Sequence, residues 1–370
     1  MIWGFIAVWL VVLTAFLLWT SRLTHLDTGQ SGTSFSLIVP FRNEAVNLPR
    51  LIESLNNIDY PGKLYEVIFI DDFSDDKSKE IILNTPKNFD WKILQSTGYQ
   101  FVSPKKAALE TGIASARYPW ILTIDADSRI PGKILRVYHR YLTLHPGTRM
   151  ILGPVKWNVN RKLPGKIQAF EMSVIQMLTA AASAVTDPFL ANGTNLLFRK
   201  DVFREVGGYE GYEKFAGGDD VFLVRKFHRL YPGKIRYLAD RQAVVTTEAA
   251  GTWGELLNQR LRWAKKTPAV NQGLSLVFSL SLLIFAFWPV ITLLLILLKQ
   301  SLIHIFIVAL ISLLSEIIIM IYLNRFFGYK LKPPDYIVLP VIYPFYLLAF
   351  GWFVITHRGN FTWKGRRYSR

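Results

Sequence analysis

The chain has 370 residues, 51% of them hydrophobic, and a formal charge of +16 from 43 basic and 27 acidic side chains. It contains no cysteine, which excludes disulfides, thiol catalysis and thiolate metal sites. The basic excess lies beside apolar stretches and no nucleic-acid-binding module is visible, so the charge suits membrane headgroups and an anionic ligand rather than nucleic acid.

Residues 1–20, MIWGFIAVWLVVLTAFLLWT, carry no charged side chain. They reach the length of about 20 residues that a bilayer crossing needs. The basic start, shorter core and small-residue cleavage site of a signal peptide are missing, so an N-terminal transmembrane anchor over 1–21 is expected. Arg22 follows directly and places the next region, 22–270, in the cytoplasm.

That region reads as alternating strands and helices. FSLIVP (35–40) is a short apolar run, followed by a polar turn and a helical pattern over about 44–57. YEVIFIDD (65–72) is a second buried-strand run ending in two acids, WKILQ (91–95) a third, and WILTIDAD (120–127) a fourth, with helical spacing over 105–117 between the last two. Such alternation predicts an α/β fold with a mostly parallel sheet and right-handed crossovers. Ligands then bind beyond the carboxyl ends of the strands, where these acids fall.

Asp125 and Asp127, two apart on an extended segment, leave the same face. Two carboxylates so placed repel and call for a hard divalent cation such as Mg2+ or Mn2+, bridged to a diphosphate; the alternative is a solvated acidic loop. Asp71 and Asp72, in IDDFSDD, suit hydrogen bonds to a base or ribose, or simply a helix N-terminus capped by Ser74, Asp75 or Asp76. In GGDDVFLVRKF (217–227) a carboxylate pair opens a helix after two glycines. It suits a general base toward a hydroxyl, or a cap at Asp219 with Asp220 favouring the helix dipole. Lys105 and Lys106 fit either phosphate contact or a solvated helix start. In QRLRW (259–263), helical spacing puts Gln259 and Trp263 on one face with Arg262 beside them. The alternative is an interfacial helix anchored by Trp263, with Arg260, Arg262, Lys265 and Lys266 at the headgroups. The six histidines show no metal spacing, and Asn192-Gly193-Thr194 and Asn360-Phe361-Thr362 are formal sequons that a cytoplasmic face would leave unused.

Three apolar stretches follow at about 274–298, 302–323 and 336–356, then a basic tail over 359–370. Three full crossings would put that tail outside, against the positive-inside tendency. One stretch is therefore expected to be re-entrant or interfacial: the last, interrupted by Pro340 and Pro344, or the first, which holds Pro289. The region 271–358 thus holds two to three spans.

Taken in order, these segments resemble family 2 glycosyltransferases, in particular the membrane-bound subset with the GT-A fold that includes processive polysaccharide synthases and ceramide glucosyltransferase. The resemblance covers about residues 34–270. VPFRNE (39–44) is similar to the opening donor turn, which implies donor contacts at Pro40 and Glu44, and IDDFSDD is similar to the second donor motif, with Asp71 and Asp72. KKAALETG (105–112) puts Lys105 at the lysine position near the donor, with Glu110 where Asn is common. DAD (125–127) is similar to the metal motif, with Asp127 the direct ligand and Asp125 shared between metal and donor. ANGTNLLFRKDVFREVGGYE (191–210) is similar to the acceptor-side segment, and GDD (218–220) stands where Glu-Asp is usual, which implies Asp220 as base with Asp219 beside it. QRLRW matches Q-x-x-R-W, which implies Gln259, Arg262 and Trp263 at the acceptor or leaving-group site. The implied activity is metal-dependent, inverting transfer of a sugar from a nucleotide diphosphate, most simply a UDP-sugar, to a lipid or lipid-linked acceptor. The alternatives are a processive polysaccharide synthase and, from another class, a transporter or a non-catalytic scaffold. Glu316 is the intramembrane charge that a transporter reading would use, with His304 near a span's end.

Overall fold

The computed structural model describes residues 2–25, 31–97, 103–160, 162–185, 191–212, 215, 217–264, 280–281, 283–356, 361–363 and 366–368. Helix α1 (Ile2–Ser21) runs into the short strand β1 (Leu23–Thr24). Then β2 (Phe35–Phe41), α2 (Leu48–Asn56), β3 (Tyr65–Asp71), α3 (Ser78–Asn84), β4 (Trp91–Gln95), α4 (Pro104–Ser115) and β5 (Trp120–Thr123) alternate as the apolar periodicity predicts. Next come β6 (Ser128–Arg129), α5 (Ile134–Leu144), β7 (Met150–Leu152), β8 (Val155–Asn158) and the long helix α6 (Leu163–Val185). β9 (Leu196–Arg199), α7 (Lys200–Glu205), α8 (Asp219–Leu230), β10 (Ile235–Tyr237), β11 (Ala239–Asp240) and β12 (Val245–Glu248) complete the sheet region. Helices α9 (Trp253–Ala264), α10 (Trp288–Leu297), α11 (Leu302–Phe327) and α12 (Asp335–Thr356) follow, then strands β13 (Phe361–Trp363) and β14 (Arg366–Tyr368).

The main sheet has the order β10-β7-β9-β5-β2-β3-β4. Every pairing is parallel except those of β9, which runs antiparallel to both neighbours. All seven residues of β2 and of β3 are buried, as strands covered on both faces must be. The helix-flanked, mostly parallel sheet of the GT-A fold is therefore present. A second, three-stranded sheet, β6-β12-β8, lies beyond the end of β5. The strand through WILTIDAD stops at Thr123, so Asp125 and Asp127 occupy the turn between β5 and β6 rather than one extended face.

Helix α6 joins the sheet region to the apolar helices, and the sequence reading placed no element there. Leu178 and Ala181 pack on Ala15, with Val11 and Leu18 alongside. Ile167 and Phe170 pack on Met320 of α11 and Leu339 of α12. Trp19 of α1 is fully buried against Phe326, and the Trp9 indole donates to Ser315 Oγ at 2.8 Å. The N-terminal helix is thus folded into the protein along one side.

Two helices, α11 with 26 residues and α12 with 22, are long and apolar enough to cross a membrane. α12 is helical through Pro340 and Pro344, which share a buried face four residues apart. The interruption falls in the first stretch instead. Part of that stretch, 274–279 and 282, lies outside the described residues. Its described part turns at Phe287, and α10, with Pro289 in its first turn, has 10 residues, about 15 Å of helix, half a hydrocarbon core. After α12, β13 lies against α9, so the chain returns to the side of the sheet region.

Candidate active site

The D-A-D turn and the Asp-Asp helix start meet at one lysine. Lys105, in the first turn of α4, reaches Asp125 Oδ1 at 2.7 Å and Asp219 Oδ2 at 3.1 Å. Burial alone would lower the Lys105 ammonium. Asp125 and Asp219, with Asp220 behind them, outweigh it and hold Lys105 well above the ordinary lysine value. Lys106, its neighbour, is fully buried and donates to the carbonyls of Tyr212 and Phe215 at 2.7 and 2.9 Å, which fastens the segment leading to α8. Neither lysine is a solvated helix start.

Helix α8 is entered through Gly218 in the left-handed conformation, at φ 79°. That backbone directs Asp219 inward to Lys105, while the Asp220 carboxylate accepts from Val221 N at 2.8 Å. Asp219 is therefore an ion-pair partner and not the helix cap. Burial, with Asp219, Asp220 and Glu110 nearby, raises the Tyr209 phenol well above its ordinary value. Glu110 itself accepts from Tyr209 N at 3.2 Å.

The segment ANGTN clasps the acidic turn. Thr123 Oγ1 donates to the Gly193 carbonyl at 2.7 Å, and Asp125 N donates to Thr194 Oγ1 at 3.2 Å. Asn195, at φ 62°, is buried and donates from Nδ2 to the carbonyls of Pro154 and Ala243 while accepting from the Tyr138 hydroxyl. Gly193 lies so close to the ion pair that a β-carbon there would sit 2.8 Å from Asp219 Oδ2 and 3.0 Å from Lys105 Nζ. Gly193, Thr194 and Asn195 were missed as site residues. The sequence offered a sequon and a resemblance to the acceptor-side segment over 191–210 but singled out no residue there, and their role depends on the antiparallel β9, which alternation cannot show.

VPFRNE and IDDFSDD meet at the ends of β2 and β3, which are adjacent in the sheet. Asn43 N donates to Ser74 Oγ, Glu44 N to Ser78 Oγ and Ala45 N to Asp76 Oδ2. Arg42 donates to the Asp72 carbonyl at 2.8 Å, and Asp71 Oδ1 accepts from Ser74 N at 2.9 Å. Asp76, one residue before the N-cap Lys77, accepts from Ser78 N through its Oδ1 at 2.9 Å. Asp71 and Asp72 are both buried, as are Pro40 in β2 and Glu44, whose carboxylate accepts from Asn47 at 2.7 Å. Asn43 and Phe73 hold positive φ, at 51° and 56°. For a bulky residue such as Phe73 that is a strained conformation, stored beside Asp72.

Asp127 is directed the other way, toward the small sheet, where Thr247 Oγ1 donates to its Oδ1 at 3.0 Å. Thr247 pairs in register with Trp157 of β8, and Trp157 stacks on Trp263 of the Q-x-x-R-W motif at 6.4 Å between centroids. The motif thus connects to the acidic turn through two residues, Thr247 and Trp157, that no short motif announces. Gln259 accepts from Arg260 at 3.2 Å, and Arg262 is half-buried on the same helix. Arg260 is not at a headgroup surface. It is buried, ion-paired with Glu171 of α6 and stacked over Trp263 at 4.3 Å. Lys265 and Lys266 lie outside the described residues. Glu316, the carboxylate inside α11, is buried and accepts from the Trp288 indole at 3.1 Å.

Asp125 and Asp127, which the sequence reading assigned to a divalent ion, have separate partners here, Lys105 and Thr247. Asp125, Asp219 and Asp220 are the three acids that act on Lys105. No group of three or more potential metal ligands occurs among the described residues, so any divalent ion here would need ligands from a bound donor as well.

Among curated proteins, the chain is 27% identical over 237 residues to the poly-beta-1,6-N-acetyl-D-glucosamine synthase of Staphylococcus epidermidis, covering 64% of this chain and 55% of that one. It is 27% identical over 235 residues to the beta-monoglucosyldiacylglycerol synthase of Trichormus variabilis, covering 62% and 48%. The match thus spans about half the length of these relatives. Among solved structures, S. aureus TarS 1-349 in complex with UDP-GlcNAc overlays with a TM-score of 0.45 at 17% identity, covering 91% of this chain and 97% of that one. The relatives agree with the resemblance to family 2 glycosyltransferases carried by the motifs. The sequence model of glycosyl transferase family 21 matches residues 3–369, and the chain belongs to that family.

Proposed function

We propose that the protein moves a single sugar from a UDP-sugar to a lipid or lipid-linked acceptor, with inversion, at the cytoplasmic face of a plasma or inner membrane. The observation that carries this reading is Lys105, held between Asp125 and Asp219 at the carboxyl edge of the sheet. In this reading α1, α11 and α12 anchor the protein and residues 22–270 form the catalytic domain. The relatives' names bracket the acceptor, one a polymer and one a diacylglycerol lipid.

Pro40, Glu44, Asp71, Asp72 and Lys105 form the donor side, at the ends of β2 and β3 and the start of α4. Asp219 is committed to Lys105, so the proton acceptor falls on Asp220. The acceptor hydroxyl gives its proton to Asp220 as its oxygen bonds the anomeric carbon. The bond from that carbon to the diphosphate breaks, and the nucleoside diphosphate leaves with the electron pair. Asp127 and Asp125 are the residues that would hold Mg2+ or Mn2+, which would supply countercharge to the leaving group. Arg262 adds positive charge on that side, and Gln259 and Trp263 shape the acceptor side. No nucleic acid takes part.

The test is nucleoside diphosphate release by the purified, lipid-reconstituted protein, offered a panel of nucleotide sugars with manganese or magnesium. Asp127→Ala and a chelator-treated sample run beside it. Metal-dependent release from one donor, absent in the variant, is expected. Release that survives both treatments overturns the metal assignment, and no release from any donor overturns the activity. Product length separates transfer of one sugar from a growing polymer.

A further inference from the structure

A cavity of about 570 Å³ lies away from the acidic site. It lies behind the three-stranded sheet. Side chains alternate across a strand. Ser128 and Thr247, which pair in register, belong to the face that meets the acidic turn, while Trp157, which stacks on Trp263, also borders the cavity. Arg129, Lys156 and Thr246, the next residues in register, line the cavity on the other side. Its opposite wall is the connection from α11 to α12, fixed by the Trp157 N donation to the Tyr329 hydroxyl at 3.0 Å.

Five cations, Arg129, Lys156, Lys166, Lys330 and Lys332, line this cavity against one acid, Asp335. Arg129 is paired with Glu248 at 3.2 Å and Lys166 with Asp335 at 2.6 Å. Among the described residues, Lys156 and Lys330 form no ion pair with a carboxylate, while Lys332 lies beside Asp335, to whose Oδ2 its backbone N donates at 2.8 Å. Lys156 is the most telling. Burial first, then the Arg129 and Arg241 charges, hold its ammonium below the ordinary lysine value. A half-buried cation among like charges is a cost in the empty protein, and an anion would relieve it.

We propose that this cavity is a phosphate-binding site, distinct from the donor site, taking either the phosphate headgroup of a membrane lipid or free phosphate. The chemistry is shared by both sources: several ammonium donors and a guanidinium around a tetrahedral anion. The position favours the headgroup, because the lysine-bearing wall joins the ends of the two helices long enough to cross a bilayer. Only the lipid source rests on α11 and α12 crossing a membrane; free phosphate needs no such crossing.

The experiment uses the full chain. In detergent, the melting temperature is followed against inorganic phosphate, with sodium chloride at matched ionic strength as control. In vesicles of phosphatidylcholine with or without phosphatidylglycerol, native mass spectrometry follows retained lipid. Wild type is compared with Lys156→Gln, Lys330→Gln and the triple variant that adds Lys332→Gln. Phosphate is expected to raise the wild-type melting temperature, and the apparent affinity to fall about tenfold in Lys156→Gln. Lys156→Gln without phosphate is expected to melt higher than wild type, the reverse of what a structural lysine would give. Donor release is expected to stay unchanged in the single variants. Phosphatidylglycerol retained by wild type and lost by the triple variant identifies the headgroup as the source. A phosphate-dependent shift without retained lipid identifies free phosphate. If neither phosphate nor phosphatidylglycerol distinguishes wild type from a single variant that still releases nucleoside diphosphate, the proposal is overturned. Should the triple variant fail to fold, Lys330→Gln carries the lipid comparison.

Discussion

Gly193→Ala separates the ion pair from the stability of the fold. Gly193 does not sit at positive φ, so its backbone accepts alanine. The added β-carbon would stand 2.8 Å from Asp219 Oδ2 and 3.0 Å from Lys105 Nζ, where ordinary contact begins near 3.4 Å. Each atom must retreat by about half an ångström from its place. Both are the far ends of flexible side chains, so the stability change is expected within about 1 kcal/mol. The geometry is less forgiving. A displacement of about 1 Å at a reacting centre can lower rate about a hundredfold, so half that should lower it about tenfold. The assay is nucleoside diphosphate release at saturating donor, with thermal melting of the same preparation. Full turnover in Gly193→Ala refutes the claim that Lys105 and Asp219 must hold their positions. A loss of melting temperature as large as that of a core truncation would show instead that the loop itself has come apart.

Asp220→Asn is expected to bind donor normally and to lower transfer by about a hundredfold or more, read as kcat against donor Kd; near-normal turnover would remove Asp220 as base. Asn195→Ala removes three buried side-chain hydrogen bonds, to the Pro154 and Ala243 carbonyls and from the Tyr138 hydroxyl, and leaves alanine at positive φ. A loss of about 4 kcal/mol in denaturant unfolding is expected. The Lys105 ammonium is held above 10.5, its ordinary value, so its contribution to stability is complete below that pH and is lost only as pH rises through the higher folded value. A basic limb of the pH-rate profile below about pH 10 therefore belongs to another group, and Lys105→Arg should leave it in place. A limb that moves in that variant would refute the assignment.

The strands were legible because β2, β3 and β5 are apolar runs that end in polar turns, and parallel strands buried on both faces have to look that way. The acids were legible because they follow those strands directly. What escaped notice had a different physical origin. β9 is a four-residue strand whose direction is set by its neighbours rather than by its own pattern. Helix α6 buries residues on nearly every side, so it lacks the one-sided stripe that announces a surface helix. Arg260 reads as a surface cation in a basic stretch, and its partner Glu171 lies 89 residues away. Pro340 and Pro344 look like breaks, yet both pack inward on one face of a continuous helix.

Helix α6 also governs what can be removed from this protein. Its Leu178 and Ala181 need the N-terminal helix, its Ile167 and Phe170 need α11 and α12, and its Gln168 holds Ala250 through both backbone groups, at 2.9 and 3.0 Å. Trimming the chain to its sheet region would leave a 23-residue helix with two greasy flanks facing water. The N-terminal helix is equally particular. Its Trp9 and Trp19 contact α11 some 300 residues downstream, so an unrelated apolar helix in its place would tether the protein without completing it. Full assembly has to wait until the last apolar helices have emerged, and every earlier intermediate carries α6 uncovered.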